Sequence, residues 1–371
     1  MRIAYTVMGY GRGHAMRTAA VLPAIERGHT VRVFAGRDAH QVLSGEHDSV
    51  EIPVIGYQYG DDGRISARLT LARNAARVAD LFACGPETRR VWQAMSDFCP
   101  DIVISDSETY GHRFARHHGI PRIGFDHVGI MAYCHCRFAE GDRLAGLRDG
   151  LGYRAFMGDP DRVLVSSFYP ARPRHERVEI VGAILREGVR RAQPYDGDDL
   201  LVYLNKGDHQ YTPALDGALR ACGETVTIYG TSRRGIQANL HFKAPAQQGF
   251  IDDLAAARAV VCTAGNQLLS EAIHLGKAVL AVPEDAVEQR LNARAICDLG
   301  VGESVPLHQL SLATLGGFLE RRARYARATQ AHRGDGLAAA ISSIERSLVQ
   351  LSGRRQDQPG RLARLTGWRT T

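Results

Sequence analysis

His14, Asp106, Glu271 and Glu288 stand where a chain places chemistry, at or just beyond the ends of apolar runs, in the turns and helix openings that follow them. His14 lies in "VMGYGRGHAMR", where the first strand gives way to the first helix. In open α/β sheets that edge is where ligands bind, and a neutral imidazole there can accept a proton. Asp106 ends "CPDIVISD" on the same edge. A carboxylate closing an apolar run needs a partner to offset its burial. Bonded to one imidazole nitrogen, it would fix the tautomer and leave the other nitrogen as a base. Glu108 and Asp126 compete for that partner role, and a capping or packed histidine is the plain alternative.

The stretch "TAGNQLLSEAIHLGKAVLAVPEDAVEQRLNA" follows the apolar "ARAVVC" and carries the second set. The spacing predicts a helix starting near Asn266, with the Ala264–Asn266 amides directed outward as an anion site. Glu271 on that helix offers two acceptor oxygens, which suits a ribose diol. Glu288, Gln289 and Asn292 open the next helix, and the i to i+4 spacing puts Glu288 and Asn292 on one face. Carboxylate and amide groups there suit sugar hydroxyls. Each piece alone also reads as an ordinary turn or solvated face, but the ordered set is specific.

Rival chemistries are weaker. A dinucleotide fingerprint counted from Gly9 through Gly11 would need glycine at position 14, which is His14; Gly13 falls one residue short. The acidic residue expected after the second strand is replaced by Gly36-Arg37, so an NADP site survives only as a rival. Cys134-His135-Cys136, with His127 near in sequence, lacks the CxxC spacing of a zinc site, and no metal is expected. The "IDDL" pair at 251–254 reads as a helix cap rather than a metal-binding carboxylate pair.

These residues need a scaffold that repeats strand and helix. The alternation runs almost end to end, beginning "RIAYTV", "AMRTAAVLPAIERG", "TVRVFAG", "SVEIPVI", which is the pattern of parallel βαβ units. A long helical stretch from Ile65 to Phe98 should break near Gly85-Pro86. "VEIVGAILREGVRRAQPYDGDD" loses periodicity and reads as a linker, after which the pattern restarts. The expected organisation is a domain over 1–185, a linker over 186–198, and a second domain over 199–330. Residues 331–371 are a helix and basic tail expected to pack back on the first domain.

With 371 residues, 44% hydrophobic and 23% charged, the chain suits two globular cores. Seven cysteines form no disulfide-like framework. Nothing at the start resembles a signal peptide, and no apolar run reaches the ~20 residues that span a bilayer. Much of the net charge of +6 lies in the tail around Trp368. That fits an anionic membrane surface or a phosphorylated ligand; no aromatic-interleaved basic stripe points to nucleic acid. A cytoplasmic protein, peripheral to a membrane at most and a monomer or homodimer, is expected.

Taken together, the His14 loop, the Asp106 strand end, the linker and the second-domain stretch resemble the GT-B glycosyltransferases. The likeness is greatest to the peptidoglycan N-acetylglucosaminyltransferase and UDP-glucuronosyltransferase-like families, and it spans roughly the whole chain. It implies two Rossmann-like parallel-sheet domains facing across a cleft. It implies Ala264, Gly265 and Asn266 at the donor diphosphate, Glu271 at the ribose, and Glu288 and Gln289 at the donor sugar, with Gly11 and Gly13 of the first loop also against the donor. Backbone near Phe250 and Ile251 would hold the base, with Asn205 and Gly207 of "LNKG" facing the phosphates. Thr263 stands where many relatives carry histidine, and Glu288-Gln289 where an Asp-Gln pair is usual.

The expected reaction is inverting, metal-independent sugar transfer from a UDP or dTDP sugar to a hydroxyl of a small natural product or lipid-type acceptor. His14 would be the base, and Tyr57, Tyr59, Asp126, His127 and "MAYCHCRF" would border the acceptor. A nucleotide-sugar 2-epimerase of the same fold, an NADP oxidoreductase and a non-catalytic sugar-nucleotide sensor are the alternatives.

Overall fold

The computed structural model describes residues 1–10, 12–56, 58, 60, 66–244 and 247–356. Gly11, Tyr57, Tyr59 and the tail with Trp368 lie outside the described residues.

The first half builds a parallel sheet from β1 (Arg2–Val7), β2 (Thr30–Ala35), β3 (Ser49–Glu51), β4 (Ile102–Asp106), β5 (Arg122–Asp126), β7 (Arg162–Val165) and β9 (Val178–Ile180). Their order is β3-β2-β1-β4-β5-β7-β9. Between β5 and β9, β6 (Cys134–His135) and β8 (Arg172–Pro173) pair as a short antiparallel ribbon. β4 and β5 are buried at every position, because helices cover both faces of the sheet. The helices are α1 (Arg12–Ile25), α2 (Arg37–Leu43), α3 (Ala67–Ala83), α4 (Pro86–Phe98), α5 (Thr109–His118), α6 (Ile130–Tyr133), α7 (Arg143–Met157) and α8 (Glu187–Arg191).

The second half repeats the plan with β10 (Leu200–Tyr203), β11 (Val226–Tyr229), β12 (Gly235–Gln237), β13 (Leu240–Phe242), β14 (Ala259–Cys262), β15 (Ala278–Ala281) and β16 (Gly302–Ser304). The order is β12-β13-β11-β10-β14-β15-β16, with β12 antiparallel to β13. Around it lie α9 (Pro213–Ala221), α10 (Gln247–Ala256), α11 (Asn266–His274), α12 (Val287–Asp298) and α13 (Leu312–Ala328). The last helix, α14 (Leu337–Gln356), returns to the first sheet. Its Leu337, Ala340, Ile344, Leu348 and Leu351 share a core with Ile3, Val21, Leu22 and Ile25. Among the described residues no helix is long and apolar enough to cross a membrane.

Local signals explain most boundaries. The long helical stretch breaks where Cys84 takes φ 52, and α4 restarts on Gly85 with Pro86 in its first turn. Glu108 caps α5 by accepting from the Tyr110 and Gly111 amides, and Gly119 ends that helix at φ 64. Three expectations need correction. Val178–Ile180, inside the supposed linker, pairs with β7 as an edge strand. "SVEIPVI" yields a strand of only three residues. "IDDL" lies within α10 rather than capping it; Asp253 accepts from Tyr229 and Lys243 there.

What matters for function is where each strand order reverses. In both sheets the central strand, β1 or β10, has neighbours whose connections run in opposite directions, which opens a crevice beyond the strand ends. His14 and Asp106 follow β1 and close β4; Asn205 and Thr263 follow β10 and β14. Gly9 serves packing: a Cβ there would sit 2.5 Å from the Gly36 carbonyl carbon, so the two loops pass only as glycines.

Candidate active site

The two strand edges face one cleft of about 640 Å³, with walls drawn from both domains. On the first-domain side, His14 Nδ1 lies 2.6 Å from Asp106 Oδ1. A carboxylate accepts only, so the proton sits on Nδ1 and the Nε2 lone pair is left for another partner. His14 lines the cleft with 19% of its side chain exposed, while Asp106 is fully buried. Of the rival partners, Glu108 is spent on capping, and burial pushes its carboxyl up to about 7.

Sequence reasoning missed Arg17. It is 3% exposed and donates to both Asp106 oxygens, Nε to Oδ2 at 2.9 Å and Nη2 to Oδ1 at 2.5 Å. Nη2 also stands 3.1 Å from His14 Nδ1. Burial alone would push the Asp106 carboxyl up, but Arg17 and His14 outweigh it and hold it below the usual carboxylate range. The available signal was the spacing: three residues after His14, Arg17 shares its helix face and points toward the sheet.

On the second-domain side, α11 begins at Asn266 after the N-cap Gly265 and has no side-chain cap. The Gly265 amide donates to Thr263 O at 2.9 Å, which corrects the expected donor set. The outward amides are those of Asn266, Gln267 and Leu268, the first turn of a helix whose interior bonds begin later. All three residues line the cleft, as do Thr263 and Gly265, whereas Ala264 is buried behind them with its carbonyl accepting from Asn292. A Cβ on Gly265 would meet nothing within 4 Å, so the glycine borders open space.

Glu271 is 1% exposed at the cleft wall and already engaged. Arg186, just before α8, donates to it from Nε at 2.7 Å and Nη2 at 2.5 Å, and Gln267 Nε2 donates at 2.7 Å. The Arg186 guanidinium also lies 5.6 Å from the Phe250 ring centroid, whose neighbours are Tyr203 and Tyr229. Phe250 lines the cleft; Ile251 instead fills the core beneath α10.

Glu288 and Gln289 reach the cleft from the start of α12, and burial pushes the Glu288 carboxyl up to about 7. Glu288 and Asn292 do share a face, joined by a 2.5 Å bond, but Asn292 is fully buried and no sugar ligand. Its amide donates to Ala264 O, and its Oδ1 accepts from Tyr169 and lies 2.9 Å from His127 Nε2. It ties the second domain to the first. Asn205 lines the cleft and donates to Glu284; Gly207, at φ 58, packs against the Gly230 carbonyl instead of the cleft.

Of the acceptor-side residues, His127 lines the cleft, and burial lowers its imidazole to about 4. Asp126 turns inward, accepting from the Gly129 amide and the Tyr153 hydroxyl, and burial raises its carboxyl. Cys134 and Cys136 belong to the ribbon region; burial pushes their thiols up to about 12 and 11. The Cys136 thiol donates to the Ile130 and Cys134 carbonyls.

Two parallel-sheet domains with a polar cleft between their switch points define a GT-B glycosyltransferase fold. Residues 1–322 match the family described as glycosyl transferase family 1, and the chain belongs to that family. It is a glycosyltransferase. The solved calicheamicin glycosyltransferase CalG4 superposes with a TM-score of 0.65 at 19% identity, covering 94% of this chain and 98% of that one. Glycosyltransferase VinC in complex with dTDP gives 0.63 at 16% identity over 95% and 100%. MurG of Acinetobacter baumannii gives 0.60 at 15% identity over 93% and 99%.

A sequence relative from Verminephrobacter eiseniae (strain EF01-2) is 42% identical over 108 residues, which is 26% of this chain and only 28% of that protein. It is named UDP-N-acetylglucosamine--N-acetylmuramyl-(pentapeptide) pyrophosphoryl-undecaprenol N-acetylglucosamine transferase.

Proposed function

We propose that this glycosyltransferase takes its sugar from a nucleoside diphosphate, UDP or dTDP, and passes it with inversion to an acceptor hydroxyl. One observation carries the reading: the His14–Asp106 contact of 2.6 Å opens onto the cleft lined by the α11 N-terminus, Glu271 and Glu288. The diphosphate lies at the Asn266–Leu268 amides, where the helix terminus favours an anion. The base stacks by Phe250, the ribose diol reaches Glu271, and Glu288 and Gln289 hold the sugar. The acceptor hydroxyl approaches from the His127 side, gives its proton to His14 Nε2 and bonds to the anomeric carbon. The bond from that carbon to the diphosphate oxygen breaks, and the charge that develops is met by the helix amides without a metal ion.

Support for the base comes from the neighbours: one was solved with dTDP, and the Verminephrobacter relative is named for a UDP sugar. That relative's name also describes a lipid-linked acceptor, and the solved neighbours include a calicheamicin glycosyltransferase. A lipid-type or small natural-product hydroxyl is therefore the acceptor class we assign. The test is product analysis with UDP- and dTDP-sugars, alone and with a panel of such acceptors, with and without magnesium. Transfer with β-linked product from an α-linked donor, indifferent to chelation, is expected. Retained configuration or loss of turnover on chelation would contradict it. Conversion of the donor without acceptor to its 2-epimer would move the enzyme to the epimerase reading.

A further inference from the structure

Among the described residues three guanidinium groups line the cleft, and their pairing differs. Arg17 is clamped to Asp106 and Arg186 to Glu271. Arg12, the first residue of α1, is exposed and has no hydrogen-bond or ion-pair partner among the described residues. It belongs to the first domain, yet it stands at the second domain's ligand edge. A Cβ on the adjacent Gly13 would lie 3.6 Å from Gln267 Cβ, so the openings of α1 and α11 abut across the cleft. The Tyr203 hydroxyl at the end of β10, whose ionisation is suppressed by burial, also feels the charges of both Arg12 and Arg186.

The α11 edge has a second mark of an absent ligand. Asn266 is 8% exposed and lines the cleft, and its buried side-chain oxygen has no partner. Polar atoms buried this way are rare unless something completes them. An amide that rotates to present its nitrogen would face an anion at the same place as the three free backbone amides. Yet among the described residues, no lysine or arginine of the second sheet or its helices lines the cleft. Thr263 offers a hydroxyl, and Arg186 is held by Glu271.

We propose that Arg12 is the cation for the donor's diphosphate, supplied across the cleft by the first domain. This rests on the donor site proposed above. The unpaired guanidinium bonds phosphate oxygens in a planar fork, which suits a diphosphate more than a nucleoside or a monophosphate. It also links the first domain to the leaving group, because Arg12 reaches the diphosphate from a helix whose opening already meets α11. Arg12 thus selects diphosphate-bearing donors and stabilises the diphosphate as it leaves.

The experiment is calorimetric titration of the full chain with UDP, UMP and uridine, repeated with dTDP, dTMP and thymidine, for wild type, Arg12→Gln and Arg12→Lys. Arg12 is exposed, so neither change threatens folding. Arg12→Gln is expected to weaken diphosphate binding tenfold or more while leaving the nucleoside unchanged, with Arg12→Lys in between. The wild-type diphosphate affinity should also fall more steeply with added sodium chloride than that of Arg12→Gln. Equal diphosphate-to-nucleoside ratios in wild type and Arg12→Gln would overturn the role of Arg12 while leaving the donor site standing. A wild-type chain that binds neither diphosphate would overturn the donor site and this inference with it.

Discussion

The edges of the two sheets occupy the same topological position but are finished in opposite ways. On the first, the buried charges are paired: Asp106 is held between Arg17 and His14, and His14 turns its Nε2 side to the cleft. On the second, polar groups are left unsatisfied: three helix amides border the cleft, and the Asn266 side-chain oxygen is buried without a partner. A prepaired edge suits a group that must hold one orientation through a reaction. An unpaired edge suits a ligand that arrives carrying the missing charge. The strand order sets where a site can be; the residues at four strand ends set which kind it is.

The largest expected effect breaks the first edge. His14→Ala should cut sugar transfer by about 10²–10⁴-fold while leaving the dissociation constant for UDP or dTDP within threefold. Initial rates and calorimetry on the same preparation check this, and rates near wild type would remove His14 from the reaction.

Next is Arg17→Met, which leaves the Asp106 carboxylate buried with one partner fewer. Breaking a buried ion pair costs about 3–5 kcal/mol, so urea unfolding should show a clear loss of stability. A loss below about 0.5 kcal/mol, ordinary for a surface change, would show that Arg17 is not part of the closed edge.

The order in which these residues can be read from the sequence has a physical reason. Asp106 stands out because a carboxylate ending an apolar run breaks a pattern, and His14 and Glu271 because they follow the small-residue turns after such runs. Arg17 breaks none: an arginine on an amphipathic helix reads as solvated unless its inward partner is known. Asn292 shows the converse. Its shared face with Glu288 is legible, but nothing in the chain says that His127, from the other domain, will meet it first. The two-domain α/β plan is legible because buried parallel strands are continuous apolar runs. α7 is not, since "RLAGLRDGLGYRAFM" is interrupted by glycines and leaves Leu144, Leu147 and Leu151 exposed. β9 was hidden by its length, three residues at a sheet edge.

A pH series sharpens the same edge. The depressed Asp106 carboxyl means the unfolded state binds the more protons, so this group's stabilisation is present above its ordinary value of 3.8 and is lost as pH falls through the lower folded value. Asp106→Asn should be less stable than wild type at neutral pH, and the gap should narrow below pH 3.8. Thermal unfolding between neutral pH and about pH 3 measures it, and a gap that stays constant or widens with acid would reverse the sign.

The smallest effect concerns the open edge. Gly265 has φ −73 and ψ 132 and no neighbour near its missing side chain, so alanine fits the folded chain. Gly265→Ala should leave the melting temperature unchanged or slightly higher while weakening donor binding, because the methyl group enters the space proposed for the diphosphate. A fall in stability without loss of affinity would mean that the glycine serves the turn alone.

The most direct test of the central claim is a thermal-shift titration with UDP, dTDP, GDP, ADP and NADP, with and without magnesium, on wild type and Glu271→Ala. Stabilisation by UDP or dTDP, unaffected by magnesium and largely lost in Glu271→Ala, is the result predicted for a sugar-nucleotide site at the second edge. A shift with NADP alone, undiminished in Glu271→Ala, would contradict it and move ligand binding to the first glycine loop.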